Sequence, residues 1–199
     1  MTYDHAIAKT QELRHILFMT KKSLNKSTVL NFENIVFVCL LFVSLFSRTI
    51  KHEWNFTAVF AASFAFVIMF PQARLKAFTM MMISMLISDA VIGFHSTMMW
   101  VYLGFALAFI PVCFTKARYT QVLSLLAGSS IFFLVSNFGV WFSGPLYSHD
   151  LSGLIQCYIM GLPFYQNQFL ADVLLAPSFM ALVSLSRTQF VSAGAEQKI

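Results

Sequence analysis

Residues 122–142 carry no charged side chain, and similar apolar runs recur along most of the chain. About 20 mostly apolar residues, with about 17 as the lower limit, are enough for a helix to cross a bilayer. Six runs approach or meet that length: about 32–47, 54–70, 77–94, 97–114, 122–142 and 164–185. Only 11% of the 199 residues are charged, against roughly 25% in a soluble domain. That leaves too little polar side chain to cover a water-facing sphere. The alternative, a soluble protein with a very apolar core, does not explain runs of this length. The chain is expected to be an all-α membrane protein of six transmembrane helices.

The stretch "LYSHDLSGLIQCYIMGLP", residues 146–163, is interrupted by Gly and Pro and is too short to span. It is expected to form a loop and a short interfacial helix before the last span. The domain reading is a basic arm over 1–28, a six-helix domain over 29–188 and a tail over 189–199. The arm lacks an apolar h-region followed by a small-residue cleavage site, so no cleavable signal peptide is expected. It either forms an amphipathic helix on anionic lipid, with Ile7, Leu13, Ile16 and Leu17 on one side, or stays a loosely ordered leader. Cys39, Cys113 and Cys157 are odd in number and lack metal-type spacing, so they read as small apolar packing residues.

Charge sets the orientation. With six spans, Lys9, Arg14, Lys21, Lys22, Lys26, Arg74, Lys76, Lys116, Arg118, Arg187 and Lys198 share one side, and of 13 basic residues only Arg48 and Lys51 take the other. The positive-inside rule then puts both termini in the cytoplasm. Topology accounts for the basic residues, and no nucleic-acid recognition motif accompanies them.

In that orientation the uncommon polar residues gather at the outer ends of the spans. Arg48 and Asn55 flank the first outer loop and Asp89 and His95 the second. Asn137, Trp141 and Tyr147 lie at the end of span five, and Asn167 and Asp172 in the outer half of span six. Ionisable groups within a span cost a few kcal/mol on insertion scales and usually face a cavity or a partner. Arg48 is the counter-charge for Asp89 or Asp172. Each residue also has a plainer role: an ion pair stapling helices for the charged ones, a turn for His95, a packing hydrogen bond for Asn137, an interfacial belt for Trp141 and Tyr147. Their convergence on one side is the observation that favours a site.

Several chemistries find no support. There is no G-x-x-x-x-G-K-[ST] loop for ATP, no H-E-x-x-H, no nucleophile elbow and no D-x-x-x-D. The runs "TMMMISM" and "STMMW" point their methionines in different directions and read as apolar filler. The five histidines make no haem pair within one bundle. No cofactor is expected.

At "NFTAVFAASFAF", "SDAVIGFHSTMMWVYLGFAL", "LAGSSIFFLVSNFGVWFSGPLY" and "CYIMGLPFYQNQFLADVL" the chain resembles an uncharacterised prokaryotic group of small multi-pass proteins described as transport proteins. That group is similar to the substrate-binding S components of energy-coupling-factor vitamin transporters. The resemblance covers about residues 48–185. It implies an S-component-like bundle of six helices in the prokaryotic inner membrane, with a pocket near the outer face. It also implies a transmembrane coupling subunit with ATPases as partner. The matching blocks contain Asn55, Asp89, His95, Asn137, Trp141, Tyr147, Asn167 and Asp172. The first span lacks the A-x-x-x-A pattern at which S components meet their coupling subunit; that spacing occurs instead at Ala58/Ala62 and Ala61/Ala65. Solitary and energised action both stay open. Thr2 occupies the place of the histidine that a cobalt-type site needs.

The resulting expectation is an outward-facing site for a small polar or aromatic solute, in a protein whose other partner is membrane lipid. Asp89 and Asp172 would recognise charge or hydrogen bonds, Arg48 would pair with them, Asn137 and Asn167 would orient the solute, and Trp141 and Tyr147 would stack on it. Loops with Gly93, Gly139, Gly144 and Pro145 would move as lids. The rival is a structural subunit of a larger membrane complex, using its 23 phenylalanines and the small residues of "AVFAASFA" for contacts.

Overall fold

The computed structural model describes residues 30–50, 55–115 and 118–196. Every regular element among these residues is helical. In chain order they are α1 (Leu30–Thr49), α2 (Val59–Met69), a 3-10 turn (Pro71–Ala73), α3 (Arg74–Ile92), α4 (Met98–Cys113), α5 (Arg118–Ser143) and α6 (Leu151–Glu196). One compact unit is Val36–Ser184, and among the described residues a second combines 30–35 with 185–196. Within the second, the rings of Phe32 and Phe190 pack 5.3 Å apart. The expected amphipathic arm over 1–28 lies outside the described residues.

Among the described residues four helices are long and apolar enough to cross a membrane: Leu30–Thr49, Pro71–Ile92, Thr120–Ser143 and Leu151–Phe190. Their exposed faces carry large apolar side chains, among them Leu75, Leu86 and Val91 on α3 and Val122, Leu123 and Leu134 on α5. Lipid covers such faces without cost, which fits a membrane protein. Two of the six expected spans fall short as helices: α2 has 11 residues and α4 has 16.

The shortness of α2 has local causes. Asn55 takes a left-handed φ of 63° and the Thr57 N–H donates to the Asn55 carbonyl at 3.0 Å, so residues 55–57 turn rather than coil. Pro71 then opens the 3-10 turn at the other end. Between these stops, Val59 to Val67 are all buried. A helix apolar all round belongs in a core, and the alanines let its neighbours approach. Ala58, Ala61, Ala62 and Ala65, at 0–1% exposure, are therefore spent inside this chain's own bundle. They are not open to a coupling subunit or a larger complex.

The second departure is at 146–163. The expected loop is there, at residues 146–150, but no separate interfacial helix follows it: α6 runs unbroken from Leu151, with Pro163 and Pro177 inside it. Asp150 starts it, its Oδ1 accepting the Gly153 N–H at 2.7 Å and the Ser148 hydroxyl at 2.9 Å. Gly161 lies so close to Asn137 that a Cβ would collide with the amide oxygen, so glycine here serves packing. The Tyr158 hydroxyl donates to the Leu134 carbonyl at 2.8 Å, and Phe133 packs between the rings of Tyr158 and Tyr165. Contact with α5 along this length outweighs the one ladder hydrogen bond that Pro163 cannot make.

Candidate functional site

Arg48 ends α1 and reaches α3. Its guanidinium donates to Asp89 Oδ1 and also contacts the Met85 sulfur. From α4, the Tyr102 hydroxyl donates to Asp89 Oδ2 at 2.9 Å. Asp89 is 1% exposed, and the Arg48 side chain 15%. Both carboxylate oxygens are thus committed, while the guanidinium keeps an edge toward an adjoining cavity.

That cavity has a volume of about 400 Å³. Its rim includes the exposed Asn55, His95 and Leu146 and the half-buried Tyr147. Its depth is closed by side chains that are nearly fully buried, Gln168 at 3%, Phe105 at 4% and Cys157 at 2% exposure. Apolar walls come from α4, α5 and α6, with Phe105, Phe132 and Phe164 among them. Asn137 donates its side-chain N–H to the Phe133 carbonyl at 2.9 Å. Its amide oxygen is left beside Gly161 at the wall. His95 Nδ1 lies 3.0 Å from the Thr97 hydroxyl, so this histidine holds the α3–α4 turn and lines the cavity together.

Of the nine residues singled out from the sequence, Arg48, Asn55, His95, Asn137 and Tyr147 line the cavity. Asp89 stands behind Arg48. Trp141 does not offer its face as a stacking surface there: its indole N–H donates to the Ser148 carbonyl at 2.9 Å. Its ring packs on Phe138 and His149. With His149 Nε2 3.3 Å from the Gly144 carbonyl, these contacts pin the loop that joins α5 to α6. Gly139 lies within α5 under Trp100, where a Cβ would collide with the ring, and is a packing position. Asn167 lies half-buried on α6 and does not line the cavity.

Asp172 is elsewhere than expected. It is fully buried and not in contact with Arg48, whose carboxylate is Asp89. Asp172 Oδ2 accepts the Ser129 hydroxyl at 2.8 Å and the Gln168 side-chain N–H at 3.0 Å. Gln168 is the residue that sequence reasoning missed, although its spacing of four from Asp172 puts both on one helix face. Outside the spans, hydrogen bonds from the Gly153 N–H and the Ser148 hydroxyl hold the Asp150 carboxyl below the ordinary carboxylate range. Among the described residues no group of three or more His, Cys, Asp or Glu has the arrangement of a metal site.

The family model for DUF6580, a family of unknown function, matches residues 28–194, and the chain belongs to that family. No curated protein and no solved structure matches the chain.

Proposed function

We propose that this DUF6580 chain is a solute-binding transporter subunit of the prokaryotic inner membrane, whose cavity takes up a small molecule with a polar head and an apolar or aromatic body. The observation that carries this reading is the cavity, whose about 400 Å³ falls in the size range of small-molecule sites, roughly 300–1,000 Å³. Arg48, Asn55, Asn137, Tyr147 and Gln168 supply hydrogen-bonding groups around apolar walls, the usual composition of such a site. In this reading Asp89 is a positioning residue: it fixes the guanidinium so that its remaining N–H groups serve the polar head. Phe105, Phe132 and Phe164 hold the body.

The wider topology is part of the same proposal. Counting α2 and α4 with their flanking residues gives six passes, with both termini cytoplasmic and the cavity rim outside. The short α2 is then a core pass shielded from lipid by its neighbours. Energy comes either from separate coupling subunits or from the solute's own gradient.

The test is native mass spectrometry of the protein purified in mild detergent. We expect a small molecule that leaves on denaturation and is absent from Ser136→Phe, which places a ring in the cavity from its α5 wall. A protein that carries no such molecule and takes up none from a cell extract would remove this reading. Purification without solute in a stoichiometric complex that lacks any ATPase would instead establish the structural-subunit alternative.

A further inference from the structure

Asp172 has chemistry that the solute cavity does not use. Its side chain is 0% exposed, and Oδ1 has no hydrogen-bond partner among the described residues. The groups that face it are Ser129 from α5, Gln168 from α6 and the backbone of Ala61 in the first turn of α2. None of these is titratable or charged, and the Arg48 guanidinium is paired with Asp89. An ionised carboxylate in such a place has only hydrogen-bond donors and the N-terminal end of α2 to hold its charge. A buried charge without a partner ion is normally relieved by taking or losing a proton.

Its surroundings also give the proton a way in. Gln168 lines the cavity while its amide N–H holds Asp172 Oδ2, so one side chain separates the carboxyl from the water of the cavity. We infer that Asp172 is a proton-binding site coupled to the solute cavity through Gln168. A proton from cavity water forms an O–H bond at Oδ1 and leaves the carboxyl neutral; release returns the proton to water. A solute that draws the Gln168 N–H toward its own acceptor takes a donor from the carboxylate, which favours the protonated form. By linkage, protonation then favours the solute to the same degree. The coupling rests on the proposed solute site; the proton site does not.

A different role competes for the same contacts. The N–H groups of the first helical turn lack intrahelical partners, and a permanently ionised Asp172 would cap α2 in place. Infrared spectroscopy of the purified protein without added solute separates the two, because a protonated carboxyl has its own C=O stretch. We expect a C=O band that disappears as pH rises and is missing in Asp172→Asn. In Gln168→Leu, which removes one donor from the carboxylate, its midpoint should rise by about one to two pH units, a 10- to 100-fold tighter hold on the proton. If Asp172→Asn does not fold, the Gln168→Leu shift makes the assignment. A spectrum whose titrating carboxyl bands all persist in Asp172→Asn, or a band unmoved by Gln168→Leu, would overturn the inference and leave Asp172 as a static cap. A titrating Asp172 in a protein that binds no solute would keep the proton site and remove the coupling.

Discussion

Asp89 and Asp172 are both aspartates in apolar helices, and both are buried, at 1% and 0% exposure. Their surroundings have little else in common. Asp89 meets a guanidinium on one oxygen and a phenol on the other, so its charge is matched within its own shell. Asp172 meets a hydroxyl and an amide on one oxygen and, among the described residues, no hydrogen-bond partner on the other. A bundle can therefore keep a carboxylate in two ways: by pairing it with a cation, or by leaving it where a proton completes it. The first fixes geometry, as at the cavity wall beside Arg48. The second leaves a group free to change state.

The largest effect should come from breaking the pair. Removing one partner of a buried ion pair strands the other charge and costs about 3–5 kcal/mol. Arg48→Met should lower the thermal stability of the detergent-solubilised protein by an amount of that order. The double variant Arg48→Met/Asp89→Leu should recover most of the loss, since an apolar pair of similar volume is often neutral or better. A single variant as stable as the parent would mean that the Arg48–Asp89 pair does not hold the bundle together.

Single-hydroxyl deletions sharpen the comparison further. Tyr102→Phe removes one donor from Asp89, and Ser129→Ala removes one from Asp172. A hydrogen bond to a charged group contributes about 1.5–3 kcal/mol and one between neutral groups about 0.5–1.5 kcal/mol. Near neutral pH the Tyr102 variant should lose more stability in chemical unfolding than the Ser129 variant. At alkaline pH, where Asp172 would be ionised, the Ser129 loss should grow toward that of Tyr102. Equal losses that ignore pH would place the same charge on both carboxyls.

The sequence made the apolar runs and the side-by-side distribution of polar residues plain, because both follow from composition within a window. It also offered Arg48 as a counter-charge, but not which carboxylate it meets. Asp89 and Asp172 sit at comparable depth in their runs, and only the helix positions decide. The helical start of α6 was hidden for a similar reason. Gly153, Gly161 and Pro163 read locally as breakers, while Gly153 packs on Ser148 and the α5 residues Asn137, Phe133 and Leu134 hold the helix at Gly161 and Tyr158. Trp141 shows the limit for the candidate site: an aromatic at a span end suits a belt, a stacking face or a loop pin equally, and its bond to Ser148 selects the last.

A third aspartate gives the smallest effect and a reference for the other two. Asp150 lies at the surface, where water already solvates its charge, and its carboxyl holds the first turn of α6 through the Gly153 N–H. Those hydrogen bonds lower its affinity for protons in the folded state. The stabilisation they provide is therefore complete above the unfolded carboxyl value of about 3.9 and is lost as pH falls through the lower folded value. Asp150→Ala should speed hydrogen exchange at the Gly153 and Leu154 amides relative to the parent at the same pH, with global stability nearly unchanged. The difference between the two proteins should be constant near neutral pH and vanish in strong acid. That sign is opposite to the one expected at Asp172, where acid completes the buried carboxyl. An Asp150 effect that grew in acid would mean that the cap works through a protonated carboxyl, and the contrast between surface and buried aspartates would fail at its simplest member.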